Sequence, residues 1–387
     1  MTDGGSAPIV RDRGILSGSR NLEHLFTLPD FPVFMGCVDA PTDQDRFFDL
    51  SFSICRDTGV IQIDLVPPAE LVYLTAHNDA VGALWKRHHE TLADFLLTQP
   101  IPGGEPLSGV LEIGGGSGQL WEAVHRRVPG VRWTIVDPNP LIAEGNGLSV
   151  RRGMFGAGLT LDYEVDAIVH SHVLEHIIDP EDFFRTIATY LQPDGLQVFS
   201  YPSMLEMLKR YFTSCMNFEH TVFLTEPFVD VLLARQGFSV LDKQPFGSPH
   251  SLFYAARYTG EVVSAALPDR YEEYKCLIHG FADYHRSLVA RINAELSRFD
   301  GEVYLFGGHI FSQYLLAFGL DRQRIVGIID NSTLKNGKRL YGTDLSVSYP
   351  DVLAGRPKVG VVLKVASYRE EILAQLLKIN PGVTIFE

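Results

Sequence analysis

The stretch LEIGGGSGQL, residues 111–120, decides the fold of this chain. A short apolar run leads into Glu112, and glycines then occupy positions 114, 115, 116 and 118 before a helical pattern begins. Glycine has no Cβ, so a segment rich in glycine can turn sharply and lets a ligand approach the backbone closely. The stretch therefore predicts a strand, a ligand-binding turn and a helix in succession.

The spacing of these glycines separates two kinds of ligand. A dinucleotide fingerprint, GxGxxG, requires a third glycine where this chain has Gln119 or Trp121, so NAD is disfavoured. The acid-x-G-x-G-x-G spacing instead resembles the S-adenosylmethionine-dependent methyltransferases of Rossmann-like fold. That resemblance implies S-adenosylmethionine as the cofactor. It also implies a set of cofactor-binding residues, namely Glu112, Gly114, Gly116 and Gly118.

Two further features follow downstream of the glycines. Asp137 ends the apolar run WTIVD, 19 residues after Gly118. A carboxylate at that position can accept hydrogen bonds from both hydroxyls of a ribose. The segment HSHVLEHIIDPEDFF, residues 170–184, resembles the family's segment after the fourth strand. This likeness implies that His172 lies along the cofactor.

Strand-like and helical runs alternate from Gly109 to about Arg257, which predicts an α/β fold with a parallel, doubly wound sheet. We expect a Rossmann-like methyltransferase core with a small β-rich N-terminal module and a second, smaller C-terminal α/β domain. The predicted segments are a disordered tail (1–20), the N-terminal module (21–75), a helix and linker (76–104), the core (105–257), a helical connector (258–300) and the C-terminal domain (301–387).

The composition restricts the partners of the chain. Its 47 acidic residues exceed its 33 lysines and arginines, and the formal net charge of −14 disfavours nucleic acid. The apolar runs are far shorter than the roughly 20 residues of a membrane span, and the N-terminus lacks the apolar region of a secretory signal. Four scattered cysteines indicate no disulfide framework. We expect a cytoplasmic enzyme with a small-molecule substrate and no membrane association; the oligomeric state stays open.

The stretch MNFEHTVF, residues 216–223, follows the fifth strand-like run of the core. This position, the domain order and the C-terminal phrases FGGHIFSQYLL, IIDNSTLKNGKRLYGT and VSYPDVL resemble the sugar C-methyltransferases of deoxysugar biosynthesis. The resemblance implies that His220 is the catalytic base, which deprotonates a carbon beside a keto group of a nucleotide-linked sugar, with Glu219 as its neighbour in the site. A hydroxyl or amine acceptor is the nearest alternative, and a non-catalytic nucleotide- or cofactor-binding module is a third.

Removal of a proton beside a ketone also requires a donor for the developing enolate oxygen. Asn217 is one candidate, and Tyr201, directly after the fifth strand, is another. An ordinary half-buried aromatic residue at the end of a strand is an equally good interpretation of Tyr201. His250, in a predicted loop, is a candidate for substrate contact, with a solvated loop imidazole as the alternative.

Two groups of residues raise the question of a metal. His172 and His176 lie four residues apart, but Glu175 would point away from their shared face if the segment were an α-helix. Members of the sugar C-methyltransferase family often bind zinc through two pairs of cysteines in the N-terminal module, where this chain has only Cys37 and Cys55. Two thiolates do not complete a tetrahedral structural site. We therefore expect no metal ligands.

Overall fold

The structure is a computed structural model that describes residues 7–74, 82–104, 106–365 and 369–387. The N-terminal module is β-rich, because its alternating apolar residues bury one side of each longer strand. Strands β2, β4 and β5 form an antiparallel sheet, and β1 pairs with β6. The strands and the short helix of this module are β1 (Ile9–Val10), β2 (Leu22–Pro32), β3 (Cys37–Val38), β4 (Phe47–Cys55), β5 (Ile61–Ile63), β6 (Leu65–Val66) and α1 (Ala69–Val72).

The prediction of a disordered tail is wrong for residues 7–20. Strand β1 lies within this segment, and Leu16 is buried. The buried guanidinium of Arg11 donates to the carbonyl oxygen of Thr221 at 2.8 Å. The polar composition of the segment does not reveal these distant partners. Residues 1–6 lie outside the described residues.

The core consists of one sheet with helices on both faces, so the predicted α/β class is confirmed. The strand order is β12-β13-β11-β10-β7-β8-β9, with β12 and β13 antiparallel to their neighbours. The helices and strands are α2 (Ala83–Thr98), β7 (Gly109–Ile113), α3 (Gln119–His125), β8 (Arg132–Asp137), β9 (Leu148–Arg152), β10 (Ala167–Ser171), α4 (Pro180–Ala188), β11 (Leu196–Pro202), α5 (Met204–Lys209), α6 (Glu226–Arg235), β12 (Phe238–Phe246) and β13 (Ser251–Tyr258).

The order of the strands reverses at the centre of this sheet, because β8 lies on one side of β7 and β10 on the other, all three being parallel. In open parallel sheets ligands bind beyond the carboxyl ends of the strands at such a reversal. The glycine turn, Asp137 and the segment after β10 all follow those carboxyl ends. The topology therefore brings the three predicted cofactor segments to one edge.

A long helix connects the core to the C-terminal domain. Residues 259–270 are not helical, so the helical part of the predicted connector begins only at Tyr271. The C-terminal domain contains a five-stranded parallel sheet of order β17-β15-β14-β18-β19. The elements are α7 (Tyr271–Leu296), β14 (Glu302–Phe306), α8 (Ile310–Ala317), β15 (Ile325–Ile329), β16 (Arg339–Leu340), β17 (Val347–Ser348), β18 (Val359–Val362), α9 (Arg369–Ile379) and β19 (Thr384–Phe386).

The C-terminal domain is joined to both preceding parts of the chain. Strand β16 pairs with β3 of the N-terminal module, and the Arg339 guanidinium contacts both carboxylate oxygens of Asp45 at 2.8 Å. The buried Tyr314 hydroxyl on α8 donates to the carbonyl oxygen of Met216 at 2.6 Å. This bond fixes the backbone directly before the segment that carries His220.

The thiols of Cys37 and Cys55 lie in different surroundings. Cys37 donates to the carbonyl oxygen of Gly308 in the C-terminal domain, whereas Cys55 contacts the hydroxyl of Ser17. All four cysteines are free thiols. Within the described ranges, no helix combines the length and apolarity that crossing a bilayer requires.

Candidate active site

A cavity of about 540 Å³ opens at the carboxyl ends of the core strands. This volume lies within the range of about 300 to 1,000 Å³ that is usual for small-molecule sites. The glycine turn, the ends of β8 and β10, and the segment that follows β11 all contribute to its wall. The polar and glycine residues of the lining are His89, Glu112, Gly114, Gly115, Gly116, Ser117, Gln119, Asp137, Asn139, Ser171, His172, Glu175, His176, Ser214, His220 and His250.

The glycine turn has the close contacts that its sequence predicts. Gly114 and Gly118 have φ angles of +74° and +71°, which side chains rarely adopt. A Cβ on Gly116 would lie 2.9 Å from Asp137 Oδ2. A Cβ on Gly115 would lie 2.3 Å from the carboxyl carbon of Glu112. The missing side chains therefore make room for two carboxyl groups as well as for a ligand.

Both predicted carboxyl groups lie beside this turn. Asp137 accepts backbone N–H hydrogen bonds from Gly116 at 3.1 Å and from Asn139 at 2.7 Å. Glu112 is 2% exposed and accepts from the indole N–H of Trp133 at 2.7 Å. Burial raises the pKa of Glu112 to about 8. Glu112 is thus mainly neutral at pH 7 and can donate a hydrogen bond into the cavity.

His172 is held on both ring nitrogens. Its φ angle is +54°, and its backbone N–H donates to the carbonyl of Ser200 at 2.9 Å. Nδ1 lies 3.0 Å from Glu175 Oε1, and Nε2 lies 2.7 Å from the hydroxyl of Ser251. Since a carboxylate only accepts, Nδ1 carries the proton and Nε2 the lone pair. The ring of Trp85 packs edge-to-face with this imidazole at a centroid distance of 4.8 Å.

The Glu-His segment forms a tight turn whose centre is Asn217. The amide oxygen of Asn217 accepts the backbone N–H of Glu219 at 2.8 Å and that of His220 at 3.0 Å. Asn217 is only 3% exposed, and its amide nitrogen lies 3.4 Å from the carbonyl of Ser214. The side chain therefore positions the turn.

His220 reaches the cavity from this turn in a defined tautomer. Its Nδ1 lies 2.6 Å from the carbonyl oxygen of Ser214, which can only accept, so Nε2 carries the lone pair. Burial, and after it the neighbouring imidazole of His176, lowers the pKa of His220 to about 4. The imidazole is therefore neutral at pH 7 and able to accept a proton.

Glu175 lies between the two histidine groups of the site. Burial opposes its charge, but the histidines around it, His172 first, lower its pKa to about 2. One ligand atom from each of Glu175, His176 and His220 lies within 4.8 Å of the others. The ionised Glu175 carboxylate is thus placed to stabilise a proton on His220.

A comparison with protein families identifies the domain that contains the cavity. Residues 84–243 match the methyltransferase domain family. For this domain, the match confirms the predicted class and S-adenosylmethionine as its cofactor. The matched range includes the glycine turn, Asp137, His172 and His220.

Individual relatives resemble only part of the chain. An uncharacterized methyltransferase of Mycobacterium sp. is 34% identical over 27% of this chain and 41% of its own length. A ubiquinone biosynthesis O-methyltransferase of Methylocella silvestris is 33% identical over 24% of this chain and 39% of its own. The matches thus span about two fifths of these relatives. A solved S-adenosylmethionine-dependent methyltransferase of Mesorhizobium loti is 16% identical, covers 46% of this chain and 100% of its own, and has a TM-score of 0.35.

Several predicted site residues of the methyltransferase domain do not line the cavity. Tyr201 is 2% exposed and packs on Tyr254 at a centroid distance of 5.9 Å, so the aromatic-core interpretation fits its position better than the substrate role. Asn217 and Glu219 are buried behind the turn, with Glu219 Oε2 4.0 Å from His176 Nδ1. Gly118 is the N-cap residue of α3 and is not among the lining residues.

Other residues of the methyltransferase domain reach the site without having been predicted. Trp85 and His89 line the cavity from α2, and His88 is buried behind it, against the rings of His172 and His250. The prediction about Glu175 is wrong, because residues Leu174–His176 form a short 3-10 helix. That geometry turns Glu175 toward His172. The two adjacent histidines on the buried side of α2 were the available sequence signal.

Proposed function

We propose that this chain is an S-adenosylmethionine-dependent methyltransferase that methylates a carbon atom of a nucleotide-linked keto-deoxysugar. The observation that carries the proposal is the tautomer of His220. Its Nδ1–H is engaged by the carbonyl of Ser214, which leaves Nε2 as a base on a residue that lines the same cavity as the glycine turn. A base at that place suits removal of a proton from carbon.

The residues of the cavity fit the cofactor. A Cβ on Gly116 would meet the Asp137 carboxylate, so the turn leaves a cradle that only glycine permits. Asp137 offers acceptor oxygens suited to ribose hydroxyls, and the neutral Glu112 lies on the same wall as His172. When bound, S-adenosylmethionine supplies an electrophilic methyl group. The residues that would hold it are Glu112, Gly114, Gly116, Asp137 and His172.

His220 would take the proton of the carbon beside the acceptor's ketone. The carbon–hydrogen bond breaks, the proton moves to Nε2 and the electron pair moves toward the ketone oxygen. The imidazolium formed in this step is stabilised by the ionised Glu175, and Glu219 acts in the same direction. The deprotonated carbon is then a nucleophile, as methyl transfer to carbon requires.

Methylation of oxygen is the second candidate, because the relative from Methylocella silvestris carries an O-methyltransferase name. His220 would then deprotonate a hydroxyl in place of a carbon. An amine acceptor is chemically equivalent for this site. The thiol state of all four cysteines supports a reducing, cytoplasmic location for either reaction.

Hydrogen exchange distinguishes these acceptors. In heavy water, with the demethylated cofactor and a panel of nucleotide-linked keto-deoxysugars, we expect deuterium to enter the position beside the ketone. His220→Asn is expected to slow this exchange and methyl transfer together, by a factor of about 10² to 10⁴. Turnover without loss of a carbon-bound hydrogen would contradict carbon methylation. A His220→Asn variant with near-parent rates would contradict the role of His220.

A further inference from the structure

His88 is a buried imidazole without an assigned role. It lies on α2, is 0% exposed and packs edge-on against the stacked rings of Phe246 and Phe253, each at a centroid distance of 5.1 Å. Among the described residues, neither of its ring nitrogens has a hydrogen-bond partner. Buried polar groups are normally satisfied, and one that is not costs stability unless a ligand or water meets it. Its two open nitrogens therefore indicate an absent partner.

Two further imidazoles face His88. The ring centroids lie 5.4 Å apart for His88 and His172, 5.5 Å for His88 and His250, and 5.7 Å for His172 and His250. The three rings thus form a nearly equilateral triangle. One potential ligand nitrogen from each ring lies within 4.8 Å of the others.

This triangle has the dimensions of a three-histidine metal centre. A zinc–nitrogen bond of about 2.0 to 2.1 Å places an imidazole centroid about 3.2 Å from the metal. Three rings arranged around such a centre have centroids about 5.2 to 5.5 Å apart. On binding, the ligand nitrogens would move closer, to about 3.3 Å from one another.

We propose that His88, His172 and His250 bind one divalent transition metal ion of the zinc type. Neutral imidazole is a preferred ligand of zinc and its neighbours in the first transition series. Three protein ligands and one open position are the arrangement of catalytic zinc sites. The cluster formed by Glu175, His176 and His220 is a different one and belongs to the proposed base.

The neighbouring residues orient the ligand nitrogens. Glu175 Oε1 accepts the Nδ1–H of His172, so Nε2 is the nitrogen of that ring that can bind a metal, and it would exchange its 2.7 Å contact with the Ser251 hydroxyl for the ion. A carboxylate behind a histidine ligand is the usual support of such centres. The Ser251 hydroxyl contacts His250 Nδ1 at 2.6 Å, which leaves Nε2 of His250 as its ligand atom. His88 offers either nitrogen.

The metal would lie at the wall of the cavity, which both His172 and His250 line. Its open position would be available to water or to an acceptor oxygen. If the chain methylates a ketone-bearing acceptor as proposed above, that position suits the ketone oxygen, for which neither Asn217 nor Tyr201 supplies a donor at the cavity. Metal binding itself does not depend on that activity.

The test measures metal binding to the full chain, without any acceptor. Protein stripped with a chelator is titrated with Co²⁺, whose visible absorption reports its coordination, and then with competing Zn²⁺; elemental analysis gives the stoichiometry. We expect one metal ion per chain. His88→Gln and His250→Gln should each weaken binding by about 100-fold or more. His285→Gln is the matched control, because His285 is also a buried imidazole with an unpartnered Nε2 among the described residues.

The outcomes separate the sites. The proposal is supported if the parent and the His285→Gln variant bind one metal ion per chain and the His88→Gln and His250→Gln variants bind it much more weakly. If His88→Gln does not fold, the metal affinity of the His250→Gln variant tests the proposal, because His250 is only half-buried. Absence of stoichiometric binding by the parent overturns the proposal, as does unchanged affinity in both cluster variants. Loss in His176→Gln with retention in His88→Gln also overturns it, because the ion would then lie at the Glu175 cluster.

Discussion

The pH dependence of hydrogen exchange is the sharpest test of the proposed base. The perturbation is a change of pH from 7 to 5, applied to the parent enzyme with the demethylated cofactor and a keto-sugar acceptor in heavy water. Burial and the imidazole of His176 lower the pKa of His220 to about 4. The neutral base should therefore persist well below the pH at which an ordinary histidine is protonated.

The expected magnitude follows from that pKa. With a pKa of about 4, roughly 90% of His220 is still neutral at pH 5, so exchange should fall by only about 10%. An ordinary imidazole with a pKa of about 6.5 would be roughly 3% neutral at pH 5, and the rate would fall more than about 20-fold. The two expectations differ by more than an order of magnitude.

The assay follows deuterium incorporation by mass spectrometry at a series of pH values, with circular dichroism as a check that the chain stays folded. His176→Gln provides an internal comparison, because removing the neighbouring imidazole should raise the pKa of His220 and move the acid limb upward. An acid limb centred near pH 6.5 in the parent, with the fold intact, would refute the assignment of a buried neutral His220 as the base.

Three further predictions concern binding and stability. Asp137→Ala should weaken cofactor binding by about 1.5 to 3 kcal/mol in calorimetry, whereas equal affinity would exclude the ribose contact. In a urea titration, Asp45→Asn should lower the free energy of unfolding by about 3 to 5 kcal/mol, because it leaves the largely buried Arg339 without its charge partner. The control is Asp344→Asn, which removes a carboxylate from an exposed ion pair and should cost less than about 1 kcal/mol. Burial lowers the pKa of His285 to about 4. Below about pH 6.5 the unfolded chain therefore binds a proton at this residue, whereas the folded chain does not until about pH 4. The free energy of unfolding should fall by about 2 to 3 kcal/mol between pH 7 and 4.5 for this reason. In His285→Gln this part of the loss should disappear, and an unchanged pH slope would contradict the buried neutral state.

Local sequence patterns determined the class of the fold and one wall of the cavity. Strand-like runs end at Glu112 and Asp137, and glycine alone fits the turn beside them, so spacing along the chain was sufficient. Asp137 was assigned from its place at the end of a strand-like run, and His172 from the resemblance of its segment to the methyltransferase family. Because the carboxyl ends of parallel strands meet at one edge, both residues line the same cavity.

The roles of several side chains were decided only by tertiary packing. Asn217 and Tyr201 have residue types suited to donating a hydrogen bond, but the first supports a turn and the second packs in the core. Glu175 was predicted to point away from its neighbours because an α-helix was assumed. A 3-10 turn changes the angle between successive side chains, and the carboxylate meets His172.

The triangle of His88, His172 and His250 shows most clearly what sequence patterns predict and what only tertiary packing determines. His88 comes from a helix that precedes the core sheet, His172 follows β10 and His250 precedes β13. Sequence periodicity reports which side of an element is buried, and the helix predicted within residues 76–104 is present as α2, with His88 and His89 among its buried residues. It does not report which distant element that side meets, because that depends on how all the strands and helices pack together. Proximity of three imidazoles from separate elements is therefore a property of the folded chain alone.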